Sequence, residues 1–325
     1  PTTRAVEGLI LADGERVVAD QVAMAVGHSA RDTFAMLHEL GVAMESKPFA
    51  VGLRVEHPQP LIDQARWGPS AGHPQLGAAE YKLVHHGATG SGATPRSAWS
   101  FCMCPGGLVV GATSEAGAVV TNGMSQHSRN ERNANSALVV NVEREDLEPW
   151  GSGTGDPLAG VAFQRHWEHQ AFVAGGADGR APAQWVDDFL AGRPSQDRGA
   201  DGVQASFQPG VRLGSLDTCL PSWVVETIRD ALPAFERRIP GFCSSGALLT
   251  GVETRTSSPV RIVRDAASLE SPNTPGLYPA GEGGGHAGGI LSAAIDGIRV
   301  AEAIALTRLR LRRPEAPSGS VCDRA

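Results

Sequence analysis

The segment SFCMCPGG, residues 100–107, sets Cys102 and Cys104 two positions apart, immediately before Pro105, Gly106 and Gly107. Two thiols at that spacing support three chemistries. As metal ligands they supply two of the roughly four donors that a structural zinc site uses, and the nearby His85, His86 and His127 complete no recognised zinc spacing, so no metal site is expected. As an active-site or redox pair they face a geometric condition. Residues two apart on an extended strand share a face with Cα atoms about 6.6 Å apart, near the upper limit for a disulfide, so direct pairing requires a bend. As unpaired cysteines they are small apolar groups suited to a core. The Pro105-Gly106-Gly107 run is expected to end the strand at the edge of a site, where one thiol can face a ligand.

Three further groups carry chemistry. Arg255, in GVETRTSSPVR, can hold an anionic substrate or stabilise a developing negative charge, and a structural ion pair is equally open. Asn122, His127 and Asn135 lie in polar sequence between strands and can line a substrate pocket, with loop hydrogen bonding as the alternative. The run GEGGGHAGG holds six glycines in nine residues, Gly281 to Gly289, between a short strand at Gly276–Ala280 and a long apolar helix. Gly283, Gly285 and Gly288 formally satisfy G-x-G-x-x-G, but no second strand and acidic residue follow about 20 positions on, as the dinucleotide fingerprint requires. What the run does provide is close backbone approach for a ligand, a helix N-terminus near Gly289 with partial positive charge, and Glu282 as an acceptor for sugar or ribityl hydroxyls.

The elements that must position these groups follow from patterning. Two apolar runs flank Asp13-Gly14, a hairpin turn signal, and a third run, Val22 to Val26, ends at Gly27. Ser29 and Asp32 have capping-box spacing for a helix that ends near Gly41. His28 follows the strand end, where a structural histidine is the alternative to a ligand contact. From about 46 to 245 short strand-like runs (Phe49–Val55, Leu108–Ala112, Ala137–Val142) alternate with glycine-rich loops at Gly87–Pro95 and Gly151–Gly155. Two helices are expected there, over Leu158–Ala174 and Ala183–Ala191. Ala294, Gly297 and Ala301 form a small-residue face on the last helix that would permit close helix–sheet packing, and the tail after about Leu306 reads as disordered.

Composition sets the outer bounds. A chain of 325 residues with 41% apolar content can bury a large core in two domains, or in one domain with a long insertion. The net charge of −7, with the only basic run at Arg308–Arg313, argues against nucleic acid as the main partner. No apolar run reaches the roughly 18 residues of a membrane span and no signal segment opens the chain, so no membrane partner and a cytoplasmic location are expected. Five cysteines without framework spacing fit a reducing compartment.

The segments AVGHSARDTF, KPFAVGLRVEHPQ, YKLVHH, SFCMCPGG, TNGMSQHSRNERNANSALVV, APAQWVDDFLAGRPS, LTGVETRTSSPVRIVRD and GLYPAGEGGGHAGGILSAAIDGIRVAEAI closely resemble the bacterial FAD-dependent dehydrogenases of the NAD(P)/FAD-dependent oxidoreductase family, over about 5–305. The resemblance implies an α/β flavoprotein of glutathione-reductase-like fold. Its FAD domain is built from segments 1–45 and 246–306, with a mixed α+β substrate domain inserted at 46–245 and a tail at 307–325. It places Gly27, His28, Ser29, Gly281, Glu282, Gly283, Gly288, Gly289 and Ile290 at FAD, with Gly281-Glu282 on the ribityl chain, and it admits NAD(P)H as electron donor or acceptor. It also gives Arg255 a possible partner in charge on reduced flavin. His286 stands where a tyrosine is more usual in such proteins. The N-terminal βαβ unit with the pyrophosphate fingerprint has no counterpart here. The expectation is therefore the C-terminal portion of a longer FAD-dependent oxidoreductase that acts on a small-molecule substrate, keeps part of the cofactor site and partners the missing N-terminal segment. A non-catalytic remnant or subunit and a cysteine-based redox protein are the alternatives.

Overall fold

Strand positions in this chain are dictated by β-branched and aliphatic runs, and the computed structural model, which describes residues 4–87, 96–199 and 202–309, shows where they pair. Two units result. One takes in the described residues of Pro1–Lys47 and Ser257–Ala325, the other is Pro48–Thr256. The first unit contains β1 (Gly8–Ile10), β2 (Arg16–Val18), β3 (Val22–Met24), α1 (Arg31–Glu39) and β4 (Met44–Ser46). The second contains β5 (Phe49–Pro58), α2 (Gln59–Trp67), β6 (Val84–His86), β7 (Ser97–Gly111), β8 (Thr121–Ser125), β9 (Asn133–Val142), α3 (Arg144–Leu147), α4 (Ala159–Ala174), β10 (Ala181–Trp185), α5 (Val186–Leu190), β11 (Val211–Leu213), α6 (Ser222–Glu236) and β12 (Leu248–Glu253). The chain then returns to the first unit with β13 (Val260–Ile262), β14 (Leu277–Pro279) and α7 (Ile290–Leu309).

The second unit is organised by one sheet in the order β11-β10-β12-β5-β9-β7-β6, with β8 paired to β7. β5 and β9 run antiparallel in unbroken register from Phe49↔Val142 to Pro58↔Asn133. Because side chains alternate along a strand, Val51, Leu53 and Val55 share one face with Leu138, Val140 and Val142, and these join Phe163 of α4 and Ile228, Leu232 and Phe235 of α6 in the main core. Each such aliphatic side chain contributes about 1.5–3 kcal/mol on burial. The opposite face begins with Ala50, Ala137 and Val139 against Trp99 and Phe101, then turns polar at Arg54, Glu56, Asn133 and Asn135, all buried.

Several expectations are corrected in this unit. Residues Ala183–Trp185 are strand, not the start of a helix, because they pair with Thr250–Leu248 of β12 and β10 is buried throughout; α5 starts at Val186. The inserted domain extends beyond 245: β12 is a central strand between β10 and β5, so residues up to Thr256 belong to this unit and not to the flanking one. Pro105-Gly106-Gly107 does not end its strand, since β7 continues to Gly111 through a register shift between Cys104 and Gly107. Of the Gly87–Pro95 loop, residues 88–95 lie outside the described residues.

In the first unit Gly14 turns the β1–β2 hairpin at φ +89° and β4 pairs with β13. β3 pairs in parallel with β14, from Val22↔Leu277 to Met24↔Pro279, so two segments about 250 residues apart in the chain end side by side. The capping box is not formed. α1 starts at Arg31 behind Ala30, whose side chain makes no cap bond; the Arg31 N–H goes to the Ser29 carbonyl, and Asp32 accepts from the Thr33 N–H instead. α7 buries Asp296, Val300 and Ala303, packed with Tyr278, Ala280 and Leu269, whereas Ala294, Gly297 and Ala301, the expected packing face, are exposed. The helix also runs through Leu309, past the expected start of the tail, and residues 310–325 lie outside the described residues.

The β5–β9 contact makes a direct prediction. A Cβ at Gly52 would lie 1.8 Å from the Leu138 carbonyl oxygen, within the sheet ladder, where neither backbone can retreat. Gly52→Ala should cost about 1–3 kcal/mol, read as a lower urea midpoint with an unchanged m-value.

Candidate functional site

On the polar face of the second unit's sheet, a guanidinium with no exposure gathers the neighbouring strands around itself. Arg54 of β5 meets Glu253 of β12 in a two-pronged pair, Nε to Oε2 at 2.8 Å and Nη2 to Oε1 at 2.9 Å. Its Nη1 donates to Asn135 Oδ1 of β9 at 2.7 Å and to the Cys102 carbonyl of β7 at 3.1 Å, and its Nη2 reaches Asn122 Oδ1 of β8 at 3.5 Å. Burial alone would loosen the guanidinium proton, but Glu253 outweighs it and holds the group charged. Gly123 admits this arrangement, since a Cβ there would stand 1.9 Å from Nη1. Asn135 Nδ2 is buried with no hydrogen-bond partner among the described residues.

The two thiols sit beside this cluster. Between Phe101↔Ala137 and Cys104↔Asn135 the register shifts by one, so Cys102 and Met103 together oppose Ser136 in a β-bulge. Cys102 has φ +45°, the left-handed first position of a bulge where glycine is the usual occupant. The bulge cancels the extended-strand alternation: Cys102 is exposed and Cys104 is buried, although residues two apart were expected on one face. Cys104 Sγ lies 3.3 Å from the Cys102 carbonyl oxygen and 4.0 Å from Arg54 Nη1. The neighbouring Cys104 thiol, with the Arg54 charge, lowers the Cys102 thiol to about 6 against the opposing effects of burial and Glu253. The Cys104 thiol, next to Cys102 and itself buried, is pushed up.

Of the other residues singled out in the sequence, Asn122 and Asn135 converge on Arg54, whereas His127 is exposed in the turn after β8 and does not join them. Arg255 is buried and committed to Glu168 of α4, Nε to Oε1 at 3.0 Å and Nη2 to Oε2 at 2.9 Å, and to Ser114 Oγ at 2.6 Å. This is the structural ion pair that the sequence left open. Arg54 and Glu253 were missed. The available signal was a charge in the middle of an apolar strand run, in FAVGLRVEH and LLTGVE. Near the second bulge, Gln59, Arg129, Asn130, Arg132 and Asn133 line a cleft of 1030 Å³.

In the first unit the turns after β3 and β14 come together. Gly27 and Gly281 both take left-handed φ, +76° and +67°. A Cβ on Gly283 would stand 2.5 Å from the Gly27 carbonyl oxygen, so the two turns touch backbone to backbone. His28 Nε2 lies 3.7 Å from Glu282 Oε2. Gly288 and Gly289 have open space where a side chain would be and lead into α7, whose first N–H groups have no intrahelical acceptor. Asp296 of α7 fastens the second turn, accepting from the Gly281 N–H at 2.7 Å and from Arg264 at 2.5 Å, while Arg264 also donates to the Pro279 carbonyl at 2.7 Å. Burial raises the Asp296 carboxyl, yet Arg264 and the Gly281 N–H prevail and hold it below the ordinary carboxylate range. His286 does not face a ligand with both nitrogens. Its Nε2 donates to the Ile262 carbonyl at 2.9 Å, and burial lowers its affinity for a second proton.

Two tests follow from these geometries. Replacing Cys102 by glycine relieves a left-handed residue, so Cys102→Gly should match the parent or exceed it by up to about 1 kcal/mol in denaturant unfolding, whereas the β-branched Cys102→Val should fall below it. Because the folded Asp296 carboxyl titrates below its unfolded value of about 3.9, its contribution is complete above that pH and is lost as pH falls through the folded value. The stability gap between the parent and Asp296→Asn should therefore be widest near neutrality and close in acid, measured by thermal unfolding across that range.

Comparison with known proteins bears on both units. An uncharacterized protein of Clostridium beijerinckii is 48% identical over 295 residues, covering 91% of this chain and 53% of the relative, so the chain spans about half the length of the curated relative it matches. Among the described residues no helix is long and apolar enough to cross a membrane. Residues 48–256, which coincide with the unit that carries the Arg54 cluster and the two thiols, match the family described as FAD-dependent protein, C-terminal domain-like, and the chain belongs to that family.

Proposed function

We propose that this chain is part of an FAD-dependent oxidoreductase of glutathione-reductase-like architecture. In this reading the first unit holds the ribityl and ring half of FAD, and the second unit carries the site for a small-molecule substrate. The observation that supports it most is the parallel pairing of β3 with β14, which brings two left-handed glycine turns into backbone contact beside the N-terminus of a 20-residue helix. The chemistry of the donor set fits a flavin's sugar-like chain. Gly27 leaves room for close approach where Gly283 packs against its carbonyl, Glu282 accepts hydrogen bonds from hydroxyls with His28 beside it, and Gly289 and Ile290 present N–H groups at the positive end of α7, next to Gly288, whose own N–H donates to Ser292 Oγ. When bound, the flavin would supply hydride or electron transfer. Asp296 and Arg264 hold the second turn in shape, which keeps the Glu282 carboxylate aimed without reorganisation. In the second unit Asn135 Nδ2 offers a buried donor and Asn122 a neighbouring amide for substrate.

Among the described residues of the first unit no group is arranged for the FAD pyrophosphate, and this half of the cofactor is assigned to a further βαβ segment. The bare face of α7 favours this, with Ile290 at 89% exposure, Leu291 at 80% and Ile298 at 71%, as does a two-stranded parallel sheet, which is too small to be stable uncovered. A nicotinamide donor or acceptor has no feature behind it and is not part of the proposal.

Losing several hydrogen bonds to a charged pyrophosphate, each about 1.5–3 kcal/mol, weakens binding by powers of ten. The chain alone should therefore purify colourless, and a fluorescence titration should show riboflavin and FAD binding with similar, weak affinity. Gly283→Ala should remove both by forcing Gly27 away. Stoichiometric FAD retained through gel filtration, or FAD binding far more tightly than riboflavin, overturns the assignment of the pyrophosphate to another segment; no flavin binding that Gly283→Ala alters overturns the site.

A further inference from the structure

We infer that Cys102 and Cys104 form a peroxide-responsive dithiol, in which Cys102 is the thiolate that is oxidised and Cys104 the thiol that resolves it into a disulfide. The inference needs no flavin and stands on the bulge in β7. An extended strand would hold the two side chains parallel on one face, but the bulge turns Cys102 outward to solvent and leaves Cys104 buried immediately behind it, its sulfur folded back to 3.3 Å from the Cys102 carbonyl. Met103 between them shares the bulge, so the strand is already bent at the place where a direct bridge requires it. The left-handed Cys102 is a strained choice at a position that glycine fills without cost, and strain retained at an exposed thiol points to a use for that thiol. Solvent access, thiolate character and an adjacent second thiol are the three properties that mark redox-responsive cysteines.

The groups that act on the Cys102 thiol come from three strands. Cys104 of β7, whose sulfur lies against the Cys102 carbonyl, and Arg54 of β5, which donates to that same carbonyl, favour the thiolate, and Glu253 of β12 opposes it while neutralising much of Arg54. The remaining described cysteines provide internal controls: Cys219 is buried and Cys243 half-buried, and burial pushes both thiols up to about 12.

The chemistry balances with hydrogen peroxide as oxidant. The Cys102 thiolate attacks one peroxide oxygen, the S–O bond forms as the O–O bond breaks, and hydroxide leaves and takes up a proton as water. Cys104 then gives up its proton and its sulfur attacks Cys102. The S–S bond forms, the S–O bond breaks, and the departing hydroxide leaves as a second water. Two thiols lose two electrons and one peroxide gains them.

The test uses the full chain, reduced and then exposed to hydrogen peroxide, followed by alkylation and peptide mapping, which also separates Cys322, outside the described residues. The expected result is a peptide spanning 101–105 that is lighter by two hydrogens and restored by dithiothreitol, with Cys219 and Cys243 still alkylated. Cys104→Ser should accumulate a dimedone-reactive sulfenic acid at Cys102, and Cys102→Ser should yield neither product at this segment. The rate of Cys102 alkylation should rise to half its maximum near pH 6, and Glu253→Gln should move that midpoint downward, since it removes the opposing charge. Disulfide formation that persists in Cys102→Ser through another cysteine, oxidation of Cys219 or Cys243 at an equal rate, or peroxide that leaves both thiols free overturns the inference. Failure to bind flavin leaves all of these readouts unchanged, so the two proposals fail separately.

Discussion

The second unit depends on how one fully buried guanidinium is satisfied. Arg54 has five N–H donors and no access to water, so each donor must find an acceptor inside the protein or the charge is untenable. The sheet meets that condition by delivering acceptors from four other strands: Glu253 from β12, Asn135 from β9, the Cys102 carbonyl from β7 and Asn122 from β8. Loss of one partner from such a buried pair typically costs about 3–5 kcal/mol, because the remaining charge is stranded. The irregularities around Arg54 are consequences of this requirement. The bulge at Cys102 releases a carbonyl from the β7–β9 ladder and turns it toward Nη1, and Gly123 keeps β8 free of a side chain where the guanidinium passes.

That arrangement also sets the chemistry of the thiols. The bulge that turns the Cys102 carbonyl toward Arg54 leaves Cys102 exposed, while Cys104, between this bulge and the register shift that follows it, is buried. The positive charge of Arg54 then acts on a thiol that is open to solvent, and the Cys104 sulfur lies against the carbonyl of the same residue. Structural and reactive roles of Arg54 therefore cannot be separated: the contacts that hold five strands together are the ones that distinguish the two cysteines from each other.

The first unit uses a smaller version of the same device. Asp296, buried on α7, binds Arg264 and the Gly281 N–H, and so fixes the turn that carries Glu282. The family match covers residues 48–256, the second unit, whereas the paired glycine turns after β3 and β14 lie in the first.

Much of the element order was legible in the sequence, since it follows from local rules. Aliphatic and β-branched runs mark β5, β9 and the β3 and β14 strand ends, Asp13-Gly14 marks a hairpin, and helical spacing marks α4 to within a residue. Local rules failed where a distant partner decided the outcome. Residues 183–185 carry helix-compatible side chains and became strand because β12 was available to pair with them. Ser29 and Asp32 had the spacing of a cap, but the Ser29 carbonyl accepts from the Arg31 N–H, Asp32 turns to the Thr33 N–H, and the helix starts at Arg31. The site divides in the same way. The spacing of the two cysteines, the glycine run and the presence of Asn122 and Asn135 are properties of the chain, whereas the choice of Arg54 as their centre, the bulge that separates Cys102 from Cys104, and the diversion of Arg255 to Glu168 are decided by tertiary structure. The reason is that a sequence states which donors and acceptors exist, while burial decides which of them must be paired and with whom.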